Sequence, residues 1–151
     1  MIDNNRRARL AGFSQITLVL DQQSLVSSSM ESDELPWMSP ELIDPETFGL
    51  KDRNPTRESD CYALGMVVYE VLSGQAPFAG CSAVVAIVRV LNGQQLDRPE
   101  GERGELFTDE IWAVLGRCWE SKPSERATAK EVLRCLEGTS SVSPANDECR
   151  I

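Results

Sequence analysis

The sequence predicts a mostly α-helical domain with one or two short β-strands near its amino terminus. Three features lead to this expectation: a long apolar stretch with helix start and stop signals, later segments with apolar residues at helical spacing, and β-branched residues among the first twenty positions. With 151 residues, of which 41% are hydrophobic and 26% charged, the chain is long enough for one domain with a substantial core.

The amino-terminal segment is expected to contain the strands. Residues 6–20 mix short apolar runs with Ile16, Thr17 and Val19, a composition that favours one or two short strands. The following residues, 21–36, are rich in glutamine, serine and acidic side chains without any period, which predicts a mobile loop.

Residues 58–78 form the element around which we expect the other helices to pack. Between residues 61 and 72 only Gly65 and Glu70 are not apolar. A helix that is hydrophobic on nearly every face has to be surrounded by protein, so Val67 and Val71 are predicted to be buried. The run is shorter than the roughly 20 apolar residues that a membrane span requires.

The ends of this helix carry their own signals. Ser59 or Asp60 is expected to cap the first free N–H groups, and Gly74 suits a left-handed stop. Pro77 then prevents the helix from continuing. A polar connection with turn signals, residues 44–57, precedes the helix.

Three further helices follow along the chain. Ser82 is expected to cap a helix over residues 83–92, and Thr108 a clearly amphipathic one. The last helix opens with the capping box Thr128–Glu131 and is expected to end before Gly138. The side chains predicted to be buried on the last two helices are Ile111, Val114, Leu115, Cys118, Trp119, Val132, Leu133 and Leu136.

Charge and composition exclude several classes of function. A formal net charge of -9 argues against nucleic acid or an anionic membrane as partner, and no secretory signal is recognisable, so we expect a cytoplasmic or nuclear protein. The chain has no histidine, which excludes serine–histidine and cysteine–histidine nucleophiles and histidine-ligated metals. Its five cysteines are odd in number and not closely paired, as expected for reduced thiols that mostly fill the core.

Three motifs resemble those of eukaryotic protein kinases. Residues 59–78, Ser-Asp-x-Tyr-x-x-Gly-Met-x-x-x-Glu-x-x-x-Gly-x-x-Pro-Phe, resemble the F-helix signature. Residues 37–41, Trp-Met-Ser-Pro-Glu, resemble the motif that closes the activation segment, and residues 118–133 resemble the end of the C-lobe in the tyrosine-kinase-like branch. The resemblance implies a kinase C-lobe-like helical domain over residues 1–137, with a disordered tail over 138–151.

The resemblance also implies chemistry that this chain lacks the residues to perform. The family transfers phosphate from ATP with magnesium, yet no glycine-rich loop, strand lysine or His-Arg-Asp loop occurs here. Gly12, Phe13 and Ser14 occupy the position of the metal-binding Asp-Phe-Gly, and glycine has no carboxylate for a hard cation. We therefore expect no catalytic residue, no metal and no bound cofactor in this chain alone, with ATP and magnesium belonging to it by family resemblance only.

The remaining matched positions are architectural. Glu41 resembles the glutamate that pairs with the arginine found here as Arg126; the alternative is that both lie on the surface. Asp60 resembles the F-helix aspartate that holds the catalytic loop, which is missing here, so it could serve only as a helix cap. Trp119 is expected in the core. Ser27, Ser28, Ser29 and Ser32 lie in the presumed activation segment as candidate phosphorylation sites, unless the serine run is merely flexible.

Three hypotheses for function remain open on the sequence. The first is a degenerate kinase-like domain, a pseudokinase, that binds protein partners through the face left by the missing N-lobe. The second is the C-lobe of an active Ser/Thr or Tyr kinase whose N-terminal part is missing from this chain. The third is a helical domain unrelated to kinases, in which Glu41 and Arg126 would lie far apart.

Overall fold

Helices make up the regular structure of the chain, as the sequence predicts. The structure, a computed structural model, describes Arg7 and residues 35–140, and this part contains no β-strand. The predicted amino-terminal strands and the loop up to residue 34 therefore lie outside the described residues, apart from Arg7. The α-helices are α1 (Pro40–Ile43), α2 (Arg57–Ser73), α3 (Ala83–Leu91), α4 (Asp109–Cys118) and α5 (Ala129–Ser140), with short 3₁₀ turns at Leu35–Trp37, Gly104–Leu106 and Pro123–Glu125.

Helix α2 begins earlier than its predicted caps. Thr56 is the N-cap: its hydroxyl accepts from the Ser59 N–H at 3.1 Å, and the Ser59 hydroxyl accepts from the Thr56 N–H at 2.8 Å. This reciprocal pair satisfies two backbone donors at once, so the expectation that Ser59 or Asp60 caps the helix is wrong. At the other end Gly74 adopts the expected left-handed conformation, with φ of 71°.

The expectation that α2 is covered on nearly every face is also wrong. Tyr62 and Met66 are buried, but Val67 is 44% exposed and Val71 is 71% exposed. Helix α4 and the turn at Leu35–Trp37 pack against α2, but the two valines stay exposed. A helix that is hydrophobic on every face is suited to burial, but its sequence does not show which other segments pack against each face.

Helix α4 forms the centre of the core. The Thr108 hydroxyl accepts from the Ile111 N–H, and the five side chains predicted for the buried face, from Ile111 to Trp119, are all buried. Tyr69, Phe107, Trp112 and Trp119 contact one another in tilted and edge-to-face pairs, with ring centroids between 5.7 and 6.2 Å apart. Such aromatic pairs hold α2, α4 and the chain before α4 in one arrangement.

Helices α3 and α5 follow the predictions with three exceptions, of which one is that Leu136 is only partly buried. The Ser82 cap of α3 is present, and so is the capping box of α5, in which the Thr128 N–H donates to Glu131 at 2.8 Å. However, Leu133 is 54% exposed, because Val132 faces the core and the next residue is turned by about 100° around the helix. Helix α5 also runs through Gly138 to Ser140, beyond its predicted end, since that glycine stays in the helix.

Candidate functional site

A buried ion pair joins α1 to the turn that precedes α5. The Arg126 guanidinium donates two hydrogen bonds of 2.7 Å to the two carboxylate oxygens of Glu41. It also donates to the carbonyl oxygens of Glu120 at 2.8 Å and Glu58 at 3.1 Å, and its charge lies 5.1 Å from the centre of the Tyr62 ring. The structure thus places Glu41 and Arg126 together and not on the surface, which excludes the third hypothesis from the sequence.

Local structure positions both partners of the pair. Glu41 stands in the first turn of α1, directly after Pro40, whose fixed φ favours a helix start. Arg126 ends the 3₁₀ turn Pro123–Glu125, which approaches the first turn of α2. Four N–H groups of the guanidinium have acceptors, so the cation is buried with most of its donors satisfied.

The surroundings of Glu41 and Tyr62 keep each of these groups in one protonation state near neutral pH. Burial by itself raises the pKa of the Glu41 carboxyl, but hydrogen bonds and the charge of Arg126 outweigh it and hold that pKa below the ordinary value. Burial raises the pKa of the Tyr62 hydroxyl above its ordinary range. Neither group exchanges a proton near neutral pH, so the cluster is suited to holding structure and not to acid–base catalysis.

A second contact fixes the segment around Glu41 against α2. The Trp37 indole N–H donates to the Glu70 carboxylate at 3.0 Å. On the other side, α3 packs against the turn at Leu35–Trp37 and against α1. Residues 35–43 are therefore held between two helices. Trp37 and Glu70 both lie in motifs that resemble those of kinases, but the spacing of the two motifs does not predict this bond.

Trp119 lies in the core between α4 and α2. It is 3% exposed, and its indole N–H is buried without a hydrogen-bond partner among the described residues. A Cβ atom at Gly65 would lie 2.8 Å from that nitrogen and 2.7 Å from the Cβ of Cys118. Only a residue without a side chain lets the two helices approach so closely, which explains the glycine within an otherwise apolar helix.

A groove of about 420 Å³ lies between the segment containing Glu41 and the amino-terminal half of α2. Asp60 is the only charged residue among those that line it, and it is exposed at the rim and takes no part in capping α2. The Ser39 hydroxyl is buried without a partner at ordinary hydrogen-bond geometry, although it is close enough to Glu41 to favour the carboxylate form. The lining residues are Trp37, Met38, Ser39, Leu42, Pro55, Ser59, Asp60 and Ala63.

The described residues contain no cluster of the usual metal-binding side chains. No group of three or more cysteine, aspartate or glutamate side chains in this part of the chain is placed to hold a cation. Gly12, Phe13 and Ser14, and the serines Ser27, Ser28, Ser29 and Ser32, lie outside the described residues. A search of the described helices for one long and apolar enough to cross a bilayer finds none.

Comparison with known proteins gives a consistent result. The sequence model of the family described as protein tyrosine and serine/threonine kinase matches residues 1–136. The chain is 28% identical over 138 residues to the mouse cytoplasmic tyrosine-protein kinase BMX, covering 91% of this chain and 19% of that protein. It is 26% identical over 142 residues to the human tyrosine-protein kinase Srms, covering 90% of this chain and 26% of that protein.

A serine/threonine kinase is similar to the same extent. The chain is 30% identical over 143 residues to the serine/threonine-protein kinase mos of Patiria pectinifera, covering 91% of this chain and 37% of that protein. The chain thus spans between 19% and 37% of the length of these curated relatives. Because the family match extends over nearly the whole sequence, this chain belongs to the protein tyrosine and serine/threonine kinase family.

Proposed function

We propose that this chain is a kinase-like protein-interaction module, a pseudokinase, that transfers no phosphate by itself. The observation that carries the proposal is a contrast between two matched positions. The architectural pair of Glu41 and Arg126 is complete and buried. At the position of the metal-binding aspartate, however, the sequence has Gly12, which offers no ligand.

Residues 1–151 alone also lack other groups that phosphoryl transfer requires. Phosphoryl transfer depends on groups that cover the phosphates, position the hydroxyl and hold magnesium. The chain has no glycine-rich loop of the kinase type and no His-Arg-Asp sequence. Family membership links the chain to ATP and magnesium, but we propose that the chain alone binds neither.

We further propose that the partner is a protein. Val67 and Val71 are among the aliphatic side chains exposed in the described part of the chain, and exposed apolar area is typical of interaction sites. The net charge of -9 opposes binding to nucleic acid or anionic membranes. We propose a cytoplasmic location, with a nuclear one as the alternative, in keeping with the similarity to the cytoplasmic tyrosine-protein kinase BMX.

The alternative is that the chain is the C-lobe of an active Ser/Thr or Tyr kinase. The family match over residues 1–136 and the kinases of both classes among the relatives favour this reading. In that case phosphorylation of Ser27, Ser28, Ser29 or Ser32 would be a means to order the activation segment through an arginine.

A thermal-shift titration of the purified chain with ATP, with and without magnesium, tests the proposal. A ligand that binds only the folded state at 100 times its Kd adds about 2.7 kcal/mol to the free energy of unfolding. We expect no shift and no phosphate transfer to a general protein substrate. A catalytically active kinase of the same family serves as the positive control.

The variant Gly12→Asp separates the two causes of inactivity. If only the metal ligand were missing, this variant would gain a magnesium-dependent shift, and the alternative would be favoured. We expect it to remain without a shift, because the phosphate-binding groups are missing as well. A magnesium-dependent shift in the unaltered chain would contradict the proposed function outright.

A further inference from the structure

A small cavity lies between the second half of α2, the connection from α2 to α3, and the segment that follows α3. Its volume is about 120 Å³. The residues that line it in the described part of the chain all fall between positions 69 and 97. The cavity is therefore a concave feature of one local unit of the fold and not an open face of a single helix.

Two opposite charges line this cavity without pairing with each other. Arg89 stands in the last turn of α3 and is half-buried, and Asp97 lies in the segment after that helix. Within the described part of the chain neither side chain makes an ion pair or a side-chain hydrogen bond. Partial burial removes water from the guanidinium, so an anionic group that binds it in two hydrogen bonds is favoured. Asp97 offers a carboxylate to a cationic group in the same space.

Tyr69 and Phe78 add two further features of a binding site. Burial and the charge of Asp97 raise the pKa of the Tyr69 hydroxyl, so it stays protonated and can donate a hydrogen bond. Phe78 has a φ of 57° and is the only described residue other than glycine with a positive φ. Glycine is the residue that such a turn position favours. Backbone strain of this kind clusters at sites that bind ligands.

Hydrogen bonds hold the cavity walls in place. The Gln95 side-chain amide donates to the carbonyl oxygen of Gly116 at 3.1 Å, which ties the segment after α3 to α4. On the opposite wall the Ser73 hydroxyl accepts from the Gln75 N–H at 3.1 Å, which fixes the chain as it leaves α2. The walls are thus formed before a ligand arrives, and a preformed site lowers the entropic cost of binding.

We infer that this cavity binds a small zwitterionic α-amino acid. The carboxylate of the amino acid would pair with Arg89 and accept a hydrogen bond from the Tyr69 hydroxyl. Its ammonium group would face Asp97, and its short side chain would lie against the Phe78 ring. This site goes beyond the proposed role in protein interaction and does not depend on it.

Size and charge favour this class of ligand over others. The cavity volume of about 120 Å³ lies below the roughly 300–1,000 Å³ of pockets for drug-sized ligands, so a nucleotide would not fit. The net charge of -9 repels a simple anion, and Arg89 repels a simple cation. A zwitterion is neutral overall and satisfies both unpaired groups at once.

An NMR titration of the isotope-labelled full chain with L-alanine tests the inference. We expect saturable shifts in the backbone amide signals of residues 69–97, with a Kd in the millimolar range or below. Alaninamide lacks the carboxylate and propionate lacks the ammonium group, so each should bind at least about tenfold more weakly. L-tryptophan should also bind more weakly, because its side chain is too large for the space beside Phe78.

Two pairs of matched variants locate the site. Arg89→Met should weaken the binding of L-alanine at least about tenfold. Arg134→Met, an exposed arginine on α5, is its control and should leave binding unchanged. Asp97→Asn should weaken binding about threefold, and Glu137→Gln, an exposed carboxylate on α5, is its control. Circular dichroism checks that every variant stays folded.

Several results would overturn the inference. The absence of saturable shifts, equal binding of propionate or alaninamide, or equal effects of Arg89→Met and Arg134→Met would each contradict it. Shifts confined to signals outside residues 69–97 would place the ligand elsewhere and contradict it as well. These outcomes are independent of the ATP titration: a magnesium-dependent shift defeats the proposed function and leaves the measurements with L-alanine interpretable.

Discussion

Glu41 and Arg126 are 85 positions apart in the chain, yet their side chains meet in two hydrogen bonds of 2.7 Å. Both side chains are almost fully buried, at 3% and 1% exposure. The pair links α1, the first turn of α2 and the turn before α5, so three segments of the fold depend on a single contact.

Removing one partner of this pair should destabilise the fold strongly. Arg126→Met leaves the Glu41 carboxylate buried without its cation, and we expect a loss of about 3–5 kcal/mol in the free energy of unfolding, measured in urea. Arg117→Met is the matched control, because Arg117 and Glu131 form an ion pair of 2.8 Å that is 51% and 37% exposed. The control should cost no more than about 1 kcal/mol. Similar losses in both variants would contradict the role assigned to the buried pair.

The same pair predicts how stability depends on pH. The pKa of Glu41 is lowered in the folded state, so the unfolded state binds its proton first as the pH falls. The contribution of Glu41 is therefore fully present above its unfolded pKa and is lost as the pH falls through the folded one. Urea unfolding between pH 7 and pH 3 should show a smaller acid loss in Glu41→Gln than in the unaltered chain. If the free energy of unfolding falls equally steeply with pH in the two proteins, other carboxylates account for the loss of stability in acid.

Two glycine substitutions should have opposite effects. Gly65→Ala places a Cβ within 2.7 Å of Cys118 and 2.8 Å of Trp119, so we expect a loss of about 1–3 kcal/mol from overpacking. At Gly138, which lies in α5, a Cβ would have nothing within 4 Å. Gly138→Ala should therefore raise the free energy of unfolding by about 0.4–1 kcal/mol, because alanine lowers the conformational entropy of the unfolded chain. Thermal unfolding distinguishes the two, and a neutral Gly65→Ala would mean that α2 and α4 can separate at little cost.

The cysteines should differ in reactivity. Burial raises the pKa of the Cys118 thiol to about 12, and the side chain is 0% exposed, so almost no thiolate forms at pH 8. Labelling with iodoacetamide at that pH, read by mass spectrometry, should modify the partly exposed Cys81 before Cys118. In urea the two should react alike. Early labelling of Cys118 in the folded chain would indicate that the core around α4 opens readily.

Local signals explain which parts of the fold the sequence predicts. Thr108 and Thr128 cap α4 and α5 as expected, because a cap depends on residues within one turn. The start of α2 was predicted too late, since Ser59 also looks like a cap and only the structure shows it paired with Thr56. The exposure of Val71 and Leu133 was not predicted, because hydrophobicity does not reveal which segments arrive to cover a side chain.

In the candidate site, too, motifs in the sequence predict some contacts, and contacts that depend on tertiary packing cannot be predicted. The pairing of Glu41 with Arg126 followed from two motifs that resemble a known family, and charge or spacing alone would not have identified it. The groove beside Asp60 could not be anticipated, because segments well separated in the chain form it. The contact between Trp37 and Glu70 likewise depends on how α2 meets the segment before α1.

The sequence separation of Glu41 and Arg126 has a consequence for the order of folding. A contact that closes so long a loop has a high entropic cost until the intervening helices have assembled. We therefore expect the two charges to stay hydrated through most of the folding reaction and to pair near its end. Weakening the ion pair should therefore speed up unfolding and leave the refolding rate almost unchanged. The pair would then determine how long the folded chain persists and not how quickly it forms.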